Sequence, residues 1–191
     1  MKSWEIVSMD QGSTSWHAWR NEGIGASEAK HLISWSNSEI SNYLIKQKTM
    51  PRKPFRGNAL TRQGNALEPI ARRAYEARVG ATFSPACIVH REQPWLRASL
   101  DGLSFCQTRA VEIKCGAATM ERAIAGEISS DYRLQLQYVM AITGFETVDY
   151  WCYRPDLEPV IMTIARDDKT IATLILNAGR TWEQVLATRA G

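Results

Sequence analysis

Residues 110–115, AVEIKC, set two opposite charges into what otherwise reads as a buried strand. In an extended chain alternate side chains share a face. Val111, Ile113 and Cys115 therefore form one apolar side, and Glu112 and Lys114 project together from the other. Taken alone, an E-x-K tripeptide is a plain charged strand face, and chemistry on such a pair requires neighbours.

Asp101 is the nearest of these. It ends the strand RASLD (97–101), and the path through GLSFCQTR (102–109) brings the chain back alongside it. A hairpin of this length can set Asp101 close to Glu112, with the register left open by the sequence. Two carboxylates plus the carbonyl of the intervening residue, Ile113, can hold a hard divalent cation such as Mg²⁺, which keeps waters in its other positions. Lys114 would then orient or deprotonate an attacking water and stabilise charge growing on a phosphate.

Around this hairpin the chain reads as a mixed α/β domain. Residues 13–33 give a short helix, a break at Gly23 and Gly25, and a second helix opening near Ser27. SNSEISNYLIKQK (36–48) continues in helical fashion, and PRKPFR (51–56) is a basic loop that could touch a DNA backbone. Residues 59–80 have Leu67, Ile70, Ala74 and Ala77 at helical spacing and close on Gly80. Three strands in a meander follow, then a helical stretch over about 118–143, two more strands, and a last amphipathic helix over about 168–187.

Composition is that of a globular protein: 191 residues, 45% hydrophobic and 23% charged. This length suits a single domain spanning 1–191. The net charge of +3 permits an acidic partner without demanding one. No apolar run spans a bilayer, and the polar start MKSWEIVSMDQGS is not a signal peptide. Cys87, Cys106, Cys115 and Cys152 lack any CxxC spacing, which argues against a zinc or iron–sulfur cluster. It fits buried thiols in a reducing cytoplasm. His17, His31 and His90 are scattered and read as structural. Most tryptophans read as core, with Trp16, Trp19 and Trp35 placed to stack on a base.

Four stretches in fixed order make the chain recognisable: WHAWRNEGIGASEA, GNALEPIARRAYE, ASLDG with VEIKC, and YRLQLQYVMAITG followed by YWCYRPD, together spanning residues 16–156. The sequence resembles the PD-(D/E)xK nucleases and, within them, the phage lambda exonuclease and YqaJ-like viral recombinase group. That resemblance implies a restriction-endonuclease-like core with a central mixed sheet flanked by helices. It also implies a Mg²⁺-dependent 5′→3′ exonuclease, with Mn²⁺ as a substitute, that acts on double-stranded DNA ends and leaves 3′ tails for recombination. Asp101, Glu112, the Ile113 carbonyl and, through GNALEP, Glu68 are implied as the metal site. Gln135 would orient the catalytic water or Lys114, with Gln137 a bystander.

Arg20 and Ser27 match the positions that grip the terminal 5′ phosphate. Ser27 at a helix N-terminus and a bidentate arginine suit an anion. The family's best-known member has a further arginine after the E-x-K lysine. At that spacing this chain has Met120, with Arg122 two positions on, and its role stays open. A ring-shaped homotrimer, a single-strand annealing partner and a cytoplasmic location in a bacterium or phage-infected cell complete the implied picture. The competing readings are a PD-(D/E)xK endonuclease, restriction-like or of CRISPR-adaptation type, and a non-catalytic DNA-end-binding protein on the same fold.

Overall fold

The computed structural model describes residues 2–33, 37–50 and 59–191. Trp35 and the PRKPFR segment lie outside them. The strands are β1 (Trp4–Val7), β2 (Ile24–Gly25), β3 (Phe83–His90), β4 (Leu96–Ser104), β5 (Ala110–Lys114), β6 (Thr147–Cys152) and β7 (Val160–Ala165). The α-helices are α1 (Thr14–Asn21), α2 (Asn37–Thr49), α3 (Ala59–Val79), α4 (Ala117–Ile124), α5 (Ser130–Thr143) and α6 (Asp168–Ala190), with a 3₁₀ helix at Ala26–His31.

Among the described residues the strands form one sheet in the order β1-β3-β4-β5-β6-β7, and β2 adds to β4. The expected meander is present as antiparallel β3-β4-β5. The β5–β6 pair is parallel, Glu112 opposite Tyr150, because α4 and α5 make the crossover between them. Helices cover both faces, as expected. On one side α3 buries Ala71 and Tyr75 against Phe83, Val111, Ile113 and Trp151. On the other, Leu136, Met140, Leu174 and Ala178 of α5 and α6 pack with Leu100, Leu103 and Ile88 in the larger core.

Several boundaries differ from the sequence reading. The stretch 118–143 is two helices, because Gly126 adopts a left-handed φ of +75° and Ser129 caps a fresh helix by accepting from the Tyr132 N–H. The apolar face of α3 is rotated from the expected set: Ile70 is half exposed, and Ala71 and Tyr75 point inward. β1 was not foreseen. It lies beside β3 and plants a buried Trp4, whose Nε1 donates to the Thr143 carbonyl at 3.1 Å. The cysteines are all free, but only Cys87 and Cys152 are buried and Cys106 is exposed, so the expectation of buried thiols holds for two of four.

Two irregularities in β4 shape the surroundings of Asp101. Ser84 pairs with Leu103 but Ala86 with Leu100, so two residues of β4, Asp101 and Gly102, oppose the single residue Pro85. This is a β-bulge, which bends a strand and re-aims its side chains. Proline sits opposite without cost because it has no N–H to leave unpaired. Asp101 therefore lies inside β4 at a bulge, where the sequence suggested a strand end. The second irregularity is on the other edge of β4. β2 pairs with Leu96 and Arg97, and β5 with Gly102 and Leu103. Between those ladders the edge over 98–101 has no neighbouring strand among the described residues, which leaves a cleft in the sheet.

Candidate active site

The cleft collects the residues singled out in the sequence. Asp101 Oδ2 accepts the Ile113 N–H at 2.8 Å, which locks the bulge of β4 to β5. Glu112 is almost fully buried, and its Oε1 accepts from Lys114 Nζ at 2.5 Å and Gln135 Nε2 at 2.7 Å. Lys114 also lies over the Tyr132 ring, 4.7 Å from its centroid. The side-by-side charges of AVEIKC are thus a largely buried ion pair facing α5, while Val111 and Ile113 face α3.

The carbonyl of Lys114 accepts from Tyr153 N on the β6 side. Carbonyls alternate along a strand, so that of Ile113 faces the opposite edge, where its N–H meets Asp101. Asp101, Glu112 and the Ile113 carbonyl are therefore neighbours. Glu68, on α3, turns its carboxylate to Arg72, one helical turn on, and Arg72 Nε donates to the Asp101 carbonyl at 2.7 Å. Arg72 was missed in the sequence, although its i,i+4 spacing from Glu68 was there to be read.

The electrostatics fit a site built for an added positive charge. Burial and the nearby Glu112 carboxylate push Asp101 up to about 8, with Lys114 opposing and Glu68 adding to the rise. Burial likewise raises Glu68, against the pull of Arg72. Burial works against the Lys114 ammonium, but the Glu112 and Asp101 carboxylates outweigh it and hold its pKa above the ordinary lysine value. Three carboxylates repelling one another around one lysine is an arrangement that a cation relieves. Among the described residues no three His, Cys, Asp or Glu side chains come together closely enough to hold a metal ion by themselves. Mg²⁺ needs no such cluster, since it takes one or two carboxylates and keeps waters. Two carboxylates and a carbonyl are hard oxygen donors of the kind that suits Mg²⁺.

Arg20 and Ser27 also meet. Arg20 NH2 donates to Ser27 Oγ at 2.7 Å, and the guanidinium lies over the Trp16 ring at 4.7 Å. Ser27 is the second residue of a helix, as expected, but the helix is a short 3₁₀ one, and the Gly25 N–H at its cap is taken by Glu28 Oε2 at 2.8 Å. An anion here would be met by the exposed Ser27 hydroxyl and the Arg20 fork, without a long helix dipole.

A cavity of about 220 Å³ joins the two groups. Arg20 and Ser27 line one part of it, and Asp101, Glu68 and Gln135 another. Trp16 and Trp19 are in its wall, with Trp16 Nε1 donating to Ser99 Oγ at 2.8 Å. A wider cavity of about 560 Å³ lies beside it, shared by Ser27, Lys30, Lys114, Arg122 and Tyr132. Arg122 is exposed there, whereas Met120 is buried in the core. Gln137 is buried on the far side of α5, where it donates to the Ala165 carbonyl and accepts from Asp167 N. His31 stacks on Tyr43, and His90 Nδ1 accepts from Gln93 N.

The model of the YqaJ-like viral recombinase domain matches residues 15–146. An alkaline exonuclease, LHK-Exo, from Laribacter hongkongensis is 27% identical, with 93% of this chain and 95% of that one covered and a TM-score of 0.80. The same exonuclease in complex with dAMP gives the same values. A phage-related exonuclease from Haemophilus somnus 129PT is 14% identical over 87% of this chain and 96% of that one, at a TM-score of 0.60, which bears on the fold alone. No curated protein sequence matches. The chain belongs to the YqaJ-like viral recombinase domain family and has the fold of an alkaline exonuclease.

Proposed function

We propose that this protein is a Mg²⁺-dependent exonuclease that degrades one strand of duplex DNA in the 5′→3′ direction from an end, leaving 3′ tails for recombination. The observation that carries the reading is the 220 Å³ cavity, in which an arginine–serine anion pair and a carboxylate–glutamine cluster share one space. A 5′ phosphate on Arg20 and Ser27 would lead the following phosphodiester toward Asp101 and Glu112. Direction then follows from where the chain end docks.

Asp101, Glu112, the Ile113 carbonyl and, directly or through water, Glu68 would hold the metal. The metal would supply Lewis-acid polarisation of the phosphate and a more acidic water. The Glu112 and Asp101 carboxylates favour the protonated form of Lys114. Lys114 would orient the attacking water and balance charge on the phosphate. Gln135 fixes the Glu112 carboxylate through the oxygen it shares with Lys114. The ring-shaped trimer and the annealing partner that take up this role in the resembling family extend the proposal to assembly.

The test is digestion of linear duplex in Mg²⁺ by the wild type and by Lys114→Ala. Loss of most turnover with duplex binding retained supports the site, since phosphate contacts elsewhere carry much of the affinity. Near-normal cleavage by Lys114→Ala would reduce AVEIKC to a charged face. Binding without any degradation by the wild type would favour a non-catalytic end-binding protein.

A further inference from the structure

The end of α1 that carries Arg20 is held in an unusual way. The last carbonyls of a helix have no intrahelical partners. Here three successive ones each receive a basic side chain from a different element. Arg97 of β4 donates to the Trp19 carbonyl, Lys48 of α2 to that of Arg20 at 2.8 Å, and Arg189 of α6 to that of Asn21 at 2.8 Å. Cations at this end also suit the helix dipole.

The middle cation is buried. The Lys48 side chain has 0% exposure, and its Nζ lies 2.8 Å from Glu28 Oε2, the oxygen that also takes the Gly25 N–H. Arg189 grips both Glu22 carboxylate oxygens at 3.2 and 3.1 Å and the Lys48 carbonyl at 3.0 Å, with its guanidinium over Trp182. α1 has no fully buried residue of its own. Polar contacts with its last turn, more than core packing, therefore set where that turn sits. Just beyond it the chain is tight: a Cβ on Gly23 would lie 2.5 Å from the Trp95 carbonyl oxygen.

We propose that Arg189, Lys48 and Glu28 are positioning residues for the Arg20–Ser27 pair. They clamp the end of α1 to the 3₁₀ helix so that both anion donors stay aimed into the 220 Å³ cavity. The inference rests on the assignment of Arg20 and Ser27 to the 5′ phosphate. Arg189 lines neither cavity, so replacing it removes no group from the cleft, and an effect on the anion pair passes through the elements Arg189 holds, the α1 end and α2.

The experiment is a double-mutant cycle. Wild type, Arg189→Ala, Arg20→Ala and the double variant are each assayed on 5′-phosphorylated and 5′-hydroxyl duplex, with Arg189→Lys as the conservative variant. Small misplacement of a binding group is costly, so Arg189→Ala should lower kcat/KM on phosphorylated ends about five- to tenfold. The 5′-hydroxyl substrate should change by less than about twofold, since it never had the full contact. Arg189→Lys should recover part of the loss, and Arg189→Ala should have no further effect once Arg20 is alanine. Equal slowing on both ends, a loss that persists undiminished in the Arg20→Ala background, or no loss at all would overturn the clamp. A wild type indifferent to the 5′ phosphate, or an Arg20→Ala variant that behaves like it, would instead overturn the assignment of Arg20. That outcome is visible before any change at position 189.

Discussion

Replacing Asp101 by asparagine should stabilise the metal-free protein while destroying its activity. Asparagine keeps an oxygen to accept the Ile113 N–H, which Asp101 now takes at 2.8 Å, so the β4–β5 lock survives. What disappears is a carboxyl that burial and Glu112 push up to about 8. An unfolded aspartate titrates near 4. Between those values the folded protein holds a proton that the unfolded chain has lost, so this group's contribution is fully present below about pH 4 and is lost as pH rises toward 8. At about 1.4 kcal/mol per unit over roughly four units the ceiling is about 6 kcal/mol. Side-chain relaxation and water entry reduce this to an expected gain of about 1–3 kcal/mol for Asp101→Asn at pH 9. The assay is urea unfolding in EDTA at pH 5 and pH 9, repeated with Mg²⁺. The variant should gain over wild type mainly at pH 9, and Mg²⁺ should stabilise the wild type much more than the variant. An Asp101→Asn protein less stable than wild type at pH 9 in EDTA would refute the view of this cleft as strained without its cation.

Other predictions concern the frame. Gly102→Ala would place a Cβ 2.6 Å from Val111 Cγ1 and 3.2 Å from Phe83 Cβ, next to the bulge that aims Asp101. It should cost about 1–3 kcal/mol in urea unfolding, with turnover falling as well. Tyr75→Phe removes a hydroxyl that donates to Asp149 Oδ2 at 2.5 Å on the α3 side of the sheet. Asp149 keeps Thr163 and Arg109, so stability should fall by about 1–2 kcal/mol. Turnover at a temperature where the variant is folded should stay within about twofold, because Tyr75 lines neither cavity.

Much of the fold was legible because its signals are local. Short apolar runs between turn residues marked β3, β4 and β5, and Gly80 and Gly144, both at positive φ, closed α3 and α5. The E-x-K pair was legible because period-two geometry puts Glu112 and Lys114 on one face whatever the tertiary context. What could not be read depends on distant partners. β1 is four residues long and becomes a strand only because β3 offers an edge. Asp101 seemed to end a strand, since a bulge is a mismatch of two strands and neither shows it alone, although Pro85 was its one local trace. The short 3₁₀ form of the helix at Ser27 was not read, since Glu28 turns back on the Gly25 N–H from within it. The hold on the end of α1 by Lys48 and Arg189 joins residues 28 and 168 positions apart in the chain, beyond the reach of any periodicity.

The most direct measurement tracks linear duplexes labelled at the 5′ or the 3′ end of one strand, with and without a 5′ phosphate, in Mg²⁺ and in EDTA. The account predicts early release of the 5′ label as short products, faster from phosphorylated ends, with the 3′ label retained on shortening strands and no reaction in EDTA. Release of the 3′ label first, internal cuts on closed circular DNA, or digestion that persists in EDTA would contradict it.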